Sequence, residues 1–308
     1  PDEARSHDSR APLMARVSFA ALKKFAINVA WIVLFVAVGG GVAVGLAKVL
    51  PAWSDEYGVL RQVFCGLTGF IVATLLVGKL LAGESWERLG WRTEGRGLVG
   101  HARPFARGIG VGMAMAAFAI VLALLLDRAS VTITPDWSRW PAVVAPLVVM
   151  LLAAALNEEL IFRGFPLRRL SDAIGAVPAL LVLAIGFALA HLGNDNVSTI
   201  GLVNIALAGI WLGIAFFTTG GMALAWGLHF GWNAALGLLF DAPVSGYLFR
   251  VPAVEYAPGL HAWVDGGAFG PEGGIVGTIS LIAGTLYLLT RRNAFSERTG
   301  VTEEVAVA

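Results

Sequence analysis

Residues 141–164 read PAVVAPLVVMLLAAALNEELIFRG, and this stretch decides how the surrounding chain folds. Its first part is an apolar run of the length that a helix needs to cross a bilayer, about 20 residues. Near the end of that run stand Glu158, Glu159 and Arg163. Ionisable side chains are costly inside a membrane, and there they are candidates for a functional site. The stretch therefore predicts a membrane span that carries chemistry.

The composition of the whole chain points to lipid as its solvent. Over 308 residues the chain is 57% hydrophobic and 14% charged, with a mean hydropathy of +0.76. A soluble domain carries roughly 25% charged residues. The net charge of +1 gives no indication of nucleic-acid binding. The single cysteine, Cys65, cannot form an intramolecular disulfide.

Eight apolar stretches have the length or nearly the length of a membrane span. We place them at 25–47, 59–81, 105–126, from Pro141 through the Glu pair, 177–191, 197–217, 222–240 and 275–289. The predicted fold is an all-α polytopic membrane protein of about eight transmembrane helices with a conical polar active-site cavity. The predicted parts are a membrane domain at 23–292 with its core at 141–240, an external loop at 241–274, and disordered cytoplasmic tails at 1–22 and 293–308.

The basic residues predict the orientation of these spans. In an eight-span arrangement one side of the membrane receives most of them: Lys23, Lys24, Arg88, Arg92, Arg96, Arg103, Arg107, Arg168, Arg169, Arg291 and Arg292. The other side receives Lys48, Arg61, Arg128, Arg139 and Arg250. Cytoplasmic loops carry an excess of Lys and Arg. Both termini are therefore expected in the cytoplasm.

Small residues recur at helical spacing in three spans. Such spacing lets membrane helices approach closely, and ordinary packing between spans explains it. The pairs are Gly108 and Gly112, Gly209 and Gly213, and Gly227 and Gly231.

The two glutamates of the fourth span are predicted to differ. Glu159 and Arg163 are four residues apart, so they share a helix face and can pair. Glu158 is rotated by about 100° from Glu159, since a helix has 3.6 residues per turn. It has no cation on its own helix and needs another partner or a proton. Glu159 is thus expected to be structural, and Glu158 available for chemistry.

The fifth span supplies a candidate partner for Glu158. A short polar turn is predicted around Ser171 to Ala176, and the midpoint of positions 158 and 191 falls within it. Residues equidistant from a turn face each other on antiparallel helices, so Glu158 and His191 are expected at similar depth. Gly164 and Pro166 are expected to kink the first of these helices.

The seventh span adds His229 and Asn233, which are four residues apart and share a face. Both side chains can donate hydrogen bonds, as groups that stabilise an oxyanion must. The residues therefore predict a hydrolytic site in which Glu158 and His191 activate a water as general base. In that site His229 and Asn233 stabilise the oxyanion.

At these residues the chain resembles the CPBP family of CAAX-protease and bacteriocin-processing membrane endopeptidases. The family's EExxxR motif appears as Glu158, Glu159 and Arg163, FxxxH as Phe187 and His191, and HxxxN as His229 and Asn233. The resemblance implies an eight-helix intramembrane glutamic endopeptidase. It implies Glu158, His191, His229 and Asn233 as the catalytic set, and Glu159, Arg163 and Phe187 as supporting residues.

The resemblance also implies the surroundings of the enzyme. Its partners would be membrane lipids and a peptide or protein substrate, which in this family can be lipidated; no cofactor is implied. The GGAFGPEGG segment of the external loop, residues 266–274, looks like that of bacterial members. The implied location is the bacterial inner membrane.

Two other functions are compatible with the same residues. Glu158, His191 and His229 could ligate zinc, because two histidines and a glutamate with an open position form a known catalytic zinc site. The HExxH signature of that chemistry does not occur in the sequence. The constellation could also relay protons in a transporter, or belong to a scaffold or immunity protein that is not an enzyme.

Overall fold

The apolar runs fold into helices in the computed structural model, which describes residues 19–51, 58–91, 97–134 and 137–299. The helices are α1 (Phe19–Val49), α2 (Gly58–Ala73), α3 (Gly97–Leu126), α4 (Trp140–Phe162), α5 (Phe165–Ile174), α6 (Ala176–Ala190), α7 (Thr199–Phe217), α8 (Gly221–Ala234), α9 (Ala262–Asp265) and α10 (Ile275–Thr299). Two π-helical segments, Thr74–Leu81 and Ala235–Leu239, prolong α2 and α8. Strands β1 (Ser130–Ile133) and β2 (Val254–Ala257) pair antiparallel, with Ser130 opposite Ala257.

Each of the eight predicted spans corresponds to a helix, and the predicted all-α membrane fold is confirmed. Five helical segments are long and apolar enough to cross a membrane: Ala21–Val49, Val59–Leu81, Gly100–Leu126, Trp140–Ile174 and Thr199–Phe217. Ala176–Ala190 and Ile275–Thr290 are apolar but shorter. Pro141 lies in the first turn of α4, as expected.

The connection between the fourth and fifth spans differs from the prediction. Instead of a turn around residues 171–176, the short helix α5 lies between α4 and α6. The backbone breaks at Gly164, and Pro166 occupies the first turn of α5. Proline cannot continue a helix but suits the beginning of one, so the expected kink is a full break. The turn into α6 is Gly175 alone, with a φ of 91° that favours glycine.

The glycine pairs bring helices into backbone contact. A β-carbon at Gly112 would overlap the backbone of Leu228, and one at Gly231 would overlap the backbone of Ile109. The spacing on α3 and α8 thus serves close packing of these two helices, as predicted. Because α8 carries His229, its contact with α3 fixes where that side chain lies.

The two ends of the chain are more helical than predicted. α1 begins at Phe19, inside the predicted tail 1–22, and α10 continues to Thr299, inside the predicted tail 293–308. Adding one residue to an existing helix gains a hydrogen bond at small entropic cost, so helices run past the apolar segment. The remainder of both predicted tails lies outside the described residues.

The external loop is folded onto the bundle at the end opposite the termini. Its strand β2 pairs with β1, and neither short strand was predicted. Next to β2, the His261 side chain and backbone both donate to the Asp127 carboxylate at the end of α3, with the side-chain Nδ1 at 2.6 Å from Oδ1. Asp265 is fully buried and accepts a hydrogen bond from the Gly267 amide at 2.9 Å. The first of these contacts holds the loop against the end of α3, and the second lies within the loop.

Candidate active site

A cavity of about 360 Å³ lies among α2, α4, α6, α7, α8 and the external loop. Its walls are mostly apolar, which differs from the polar cavity predicted. A group of polar side chains converges on it: Glu158, His191, Asn194, Asn204, His229, Asn233, Ser245 and Glu272. All four residues predicted as catalytic are in this group. A mainly apolar pocket with a few convergent polar groups is the usual form of a ligand site.

Behind the cavity, Glu159 joins two other side chains. Its Oε1 lies 3.1 Å from Nη1 of Arg163 and 2.9 Å from Nδ1 of His229. The side chains of Glu159 and Arg163 are exposed by 0% and 3%. The predicted pairing of Glu159 with Arg163 is therefore present. The contact from Glu159 to His229 was not predicted, and it makes this carboxylate the anchor of the histidine.

Glu158 lies on the cavity side of the same helix. Its side chain is 32% exposed, and its Oε2 is 3.6 Å from Nε2 of His229. Glu158 and His191 line the same cavity, but among the described contacts the histidine beside Glu158 is His229. The prediction that Glu158 is the available glutamate agrees with this exposure. The expectation that Glu158 and His191 lie at similar depth and hold a water between them stays a prediction.

His191 caps the end of α6, where its ring is held by its own helix. Its Nδ1 is 2.7 Å from the carbonyl oxygen of Phe187, one turn earlier. A carbonyl only accepts, so Nδ1 carries the proton and Nε2 of a neutral ring has a free lone pair. His191 is half-buried and lines the cavity. Its Nε2 is thus the nitrogen available for a water or a substrate.

Phe187 packs among the charged and imidazole groups. It is 3% exposed, and its ring centroid is 6.1 Å from that of His229 and 4.7 Å from that of His191. The guanidinium carbon of Arg163 lies 4.2 Å from the Phe187 ring centroid. An Arg over an aromatic face is attracted by the ring quadrupole. Phe187 therefore packs against Arg163 and both histidines, and its supporting role stays a prediction.

Comparison with known families identifies the segment that carries these groups. Residues 140–235 match the family model described as type II CAAX prenyl endopeptidase Rce1-like. This segment of the chain is similar to Rce1-like endopeptidases. The resemblance read from the three motifs is thus confirmed, and the match contains Glu158, His191, His229 and Asn233. It indicates an integral membrane protease of the CAAX type that acts on peptides or proteins. Searches of curated proteins and of solved structures returned no match.

The cavity also has walls outside the matched segment. Glu272 of the external loop accepts hydrogen bonds from Nε1 of Trp232 at 2.8 Å and from Oγ of Ser245 at 2.8 Å, and also from the Ser245 amide. Its backbone carbonyl accepts from the amide of Asn204 at 2.8 Å. Sequence reasoning missed Glu272 as a site residue. The available signal was a lone acid between glycines in GGAFGPEGG.

The arrangement of acids and histidines bears on the zinc alternative. Within the described residues, no group of three or more His, Cys, Asp and Glu side chains is arranged to hold a metal ion. Glu158 and His229 are neighbours, and Nδ1 of His191 is hydrogen-bonded to its own helix, which leaves only Nε2 of that ring for a metal. A zinc site built from these three residues would require His191 or Glu158 to move.

Proposed function

We propose that the chain is an intramembrane glutamic endopeptidase that hydrolyses a peptide bond in a membrane-associated or lipidated peptide or protein. The observation that carries the proposal is the contrast between two adjacent glutamates. Glu159 is fully buried against Arg163 and His229, whereas Glu158 faces the cavity with a third of its side chain exposed. A general base must reach water and substrate, and the exposure of Glu158 to the cavity supports this role.

The proposed reaction begins with a water between Glu158 and Nε2 of His191. Glu158 takes a proton from this water while the water oxygen attacks the carbonyl carbon of the substrate. The carbonyl becomes an oxyanion, and the Asn233 amide donates to it. The C–N bond then breaks as the proton held by Glu158 passes to the leaving amine. The products are a new carboxyl end and a new amino end.

His229 has a defined role in this proposal. Its Nδ1 donates to Glu159, so a neutral ring has no proton on Nε2. Donation from Nε2 to the oxyanion requires the imidazolium form. The carboxylates of Glu158 and Glu159 on either side would balance its positive charge. Glu159 thus serves the reaction indirectly, because it fixes the orientation of His229.

Replacing Glu158 by Gln tests the proposal. The expected result is loss of cleavage with the fold retained, measured by comparing new peptide N-termini in membranes of cells that produce wild type or Glu158→Gln. Glu255→Gln is a matched control, since Glu255 is an exposed glutamate on β2 and is not among the residues lining the cavity. Cleavage by Glu158→Gln at the wild-type rate would refute the mechanism. It would favour a transporter or scaffold.

A further inference from the structure

The backbone around Glu272 is fixed against its surroundings. Glycines follow this residue, and a β-carbon at Gly274 would overlap the carbonyl oxygen of Val264. The amide group of Asn204, buried on α7, donates to the carbonyl oxygens of Glu272 and Gly274, both at 2.8 Å. The two amide hydrogens of Asn204 are thus both used to hold this segment of the external loop on α7.

One carboxylate oxygen of Glu272 binds α8. Its Oε1 accepts from Nε1 of Trp232 at 2.8 Å. The Trp232 ring is buried and packs edge-on against Trp211, with centroids 6.1 Å apart. Asn233 follows Trp232 directly, and successive residues of a helix project about 100° apart. A contact that fixes Trp232 therefore also fixes the direction in which Asn233 projects.

The other carboxylate oxygen of Glu272 is connected to the turn after α6. Oε2 accepts from the hydroxyl and the amide of Ser245, whose carbonyl oxygen accepts from the Asn194 side chain at 2.9 Å. The backbone N–H of Asn194 donates to the carbonyl oxygen of His191 at 3.1 Å. Ser245 has a φ of 48°, which residues other than glycine seldom adopt, so its conformation depends on such contacts. A chain of hydrogen bonds thus leads from Glu272 to the turn that begins at His191.

From these contacts, and resting on the proposed function, we infer that Glu272 is a positioning residue for the hydrolytic site. Its carboxylate holds Trp232 beside Asn233 on α8. Through Ser245 it also holds the turn that begins at His191. A carboxylate suits this place because its oxygens only accept, and three donors reach them. The external loop therefore sets the water-activating side of the site relative to the oxyanion side.

Thiol reactivity measures the position of both site residues without requiring cleavage. In a Cys65→Ala background, His191→Cys and Asn233→Cys each place one thiol in the wall of the cavity. The rate at which methyl methanethiosulfonate modifies each thiol is measured with and without Glu272→Gln. Both rates are expected to change several-fold, because the substitution loosens both attachments. An unchanged rate at either position overturns the positioning role.

Asp265→Asn is the matched control within the same loop. Asp265 is another buried carboxylate, and it accepts from the amides of Gly259 and Gly267 and from the hydroxyl of Tyr256. It is not among the residues that line the cavity. Asp265→Asn should lower the melting temperature and leave both labelling rates unchanged. If it changes both rates as Glu272→Gln does, general loosening of the loop explains the effect and the specific role fails.

Asn194→Ala separates the two attachments. It removes the bond to Ser245 but leaves Glu272 bonded to Trp232, so only the rate at position 191 should change. Adding Glu272→Gln should then have little further effect at that position, since residues that act through one contact are not additive. A full further effect overturns the path from Glu272 to His191.

Cleavage relates these positions to the reaction. A fluorogenic peptide copied from a cleavage site that is lost in Glu158→Gln membranes gives kcat and KM. Glu272→Gln is expected to lower kcat by up to about 100-fold with a smaller change in KM, because a misplacement of about 1 Å can cost that much. Asp265→Asn should keep the wild-type kcat. A wild-type kcat in Glu272→Gln overturns the role, whereas changed labelling with no site lost in Glu158→Gln refutes only the peptidase function.

Discussion

His229 lies between two consecutive carboxylates of α4, with its Nδ1 2.9 Å from Oε1 of Glu159 and its Nε2 3.6 Å from Oε2 of Glu158. One ring therefore touches both the fully buried ion pair and the group that faces the cavity. Substitutions at the two glutamates should separate a contribution to stability from one to catalysis.

Glu159→Gln is expected to destabilise the protein strongly, because it leaves Arg163 buried without a carboxylate. Removing one partner of a buried ion pair costs about 3–5 kcal/mol. Glu158→Gln should change stability by less than about 1 kcal/mol, because Glu158 is partly exposed and its contact is longer. Thermal unfolding of the two variants in the same detergent measures the difference. Equal melting temperatures would contradict the assignment of Glu159 to the buried pair.

Gly112→Ala is expected to weaken the packing of α3 on α8. A β-carbon there overlaps the backbone of Leu228, whereas a β-carbon at Gly110 meets no atom within 4 Å. Overpacking costs about 1–3 kcal/mol, so Gly112→Ala should lower the melting temperature. Gly110→Ala is the control on the same helix and should be neutral or stabilising by up to about 1 kcal/mol. A loss of stability in Gly110→Ala alone would show that glycine matters here for another reason.

Glu272→Gln is expected to loosen the external loop. The amide group of glutamine can still accept from Trp232, but its NH₂ cannot accept from the Ser245 amide and hydroxyl. Hydrogen bonds to a charged group contribute about 1.5–3 kcal/mol each, so a loss of about 2 kcal/mol is expected, together with reduced cleavage. Thermal unfolding and cleavage assays measure both effects. Glu255→Gln should show neither, and a Glu272→Gln variant that matches wild type would refute the anchoring role.

Asp241, at the start of the external loop, predicts a pH dependence of stability. Burial raises the pKa of its carboxyl from 3.8 to about 6, against the lowering effect of the Val251 and Arg250 amides. Between about pH 4 and 6 the folded state then binds more protons than the unfolded state, so stability falls as pH rises through this window. Above about pH 6 the contribution is constant. Asp241→Asn should flatten this decline in melting temperature, while Asp195→Asn, an exposed control, should not.

Metal removal separates the glutamic mechanism from the zinc alternative. If Glu158 activates water without a metal, dialysis of the purified protein against a chelator should leave cleavage unchanged. Loss of activity on chelation and its recovery with zinc would contradict the proposed mechanism. It would indicate that His191, Glu158 and His229 rearrange around an ion.

Much of the helical part could be predicted from the sequence because lipid imposes length and composition on each span. The pairing of Glu159 with Arg163 could be predicted too, since both residues lie on one helix with fixed geometry. Contacts between residues on different helices were harder to predict from the sequence. The register of Glu158 against His191 depended on a turn, and the break at Gly164 inserted α5 there. The contact of His229 with both glutamates depends on how α4 and α8 are tilted against each other. The spacing of residues within one helix does not determine that tilt.

The external loop was the least predictable part. Its strand β2 is four residues long and pairs with a strand more than a hundred residues earlier, so no local sequence pattern predicts it. Glu272 follows a series of turns before it lines the cavity. Turns have no periodic sequence pattern, so the position of its side chain could not be predicted. A lone acid in a glycine-rich loop is usually solvated, and only its three donors reveal that this one is structural.

The shortness of α6 has a consequence for the lipid around the enzyme. Its 15 residues span about 22 Å, whereas the hydrocarbon layer is about 30 Å thick. Val177, Leu181, Ile185 and Leu189 form an exposed stripe along this helix. A wall shorter than the bilayer is accommodated by local thinning. The bilayer beside α6 is thus expected to be thinner near His191, which brings headgroups and their water to the level of the cavity.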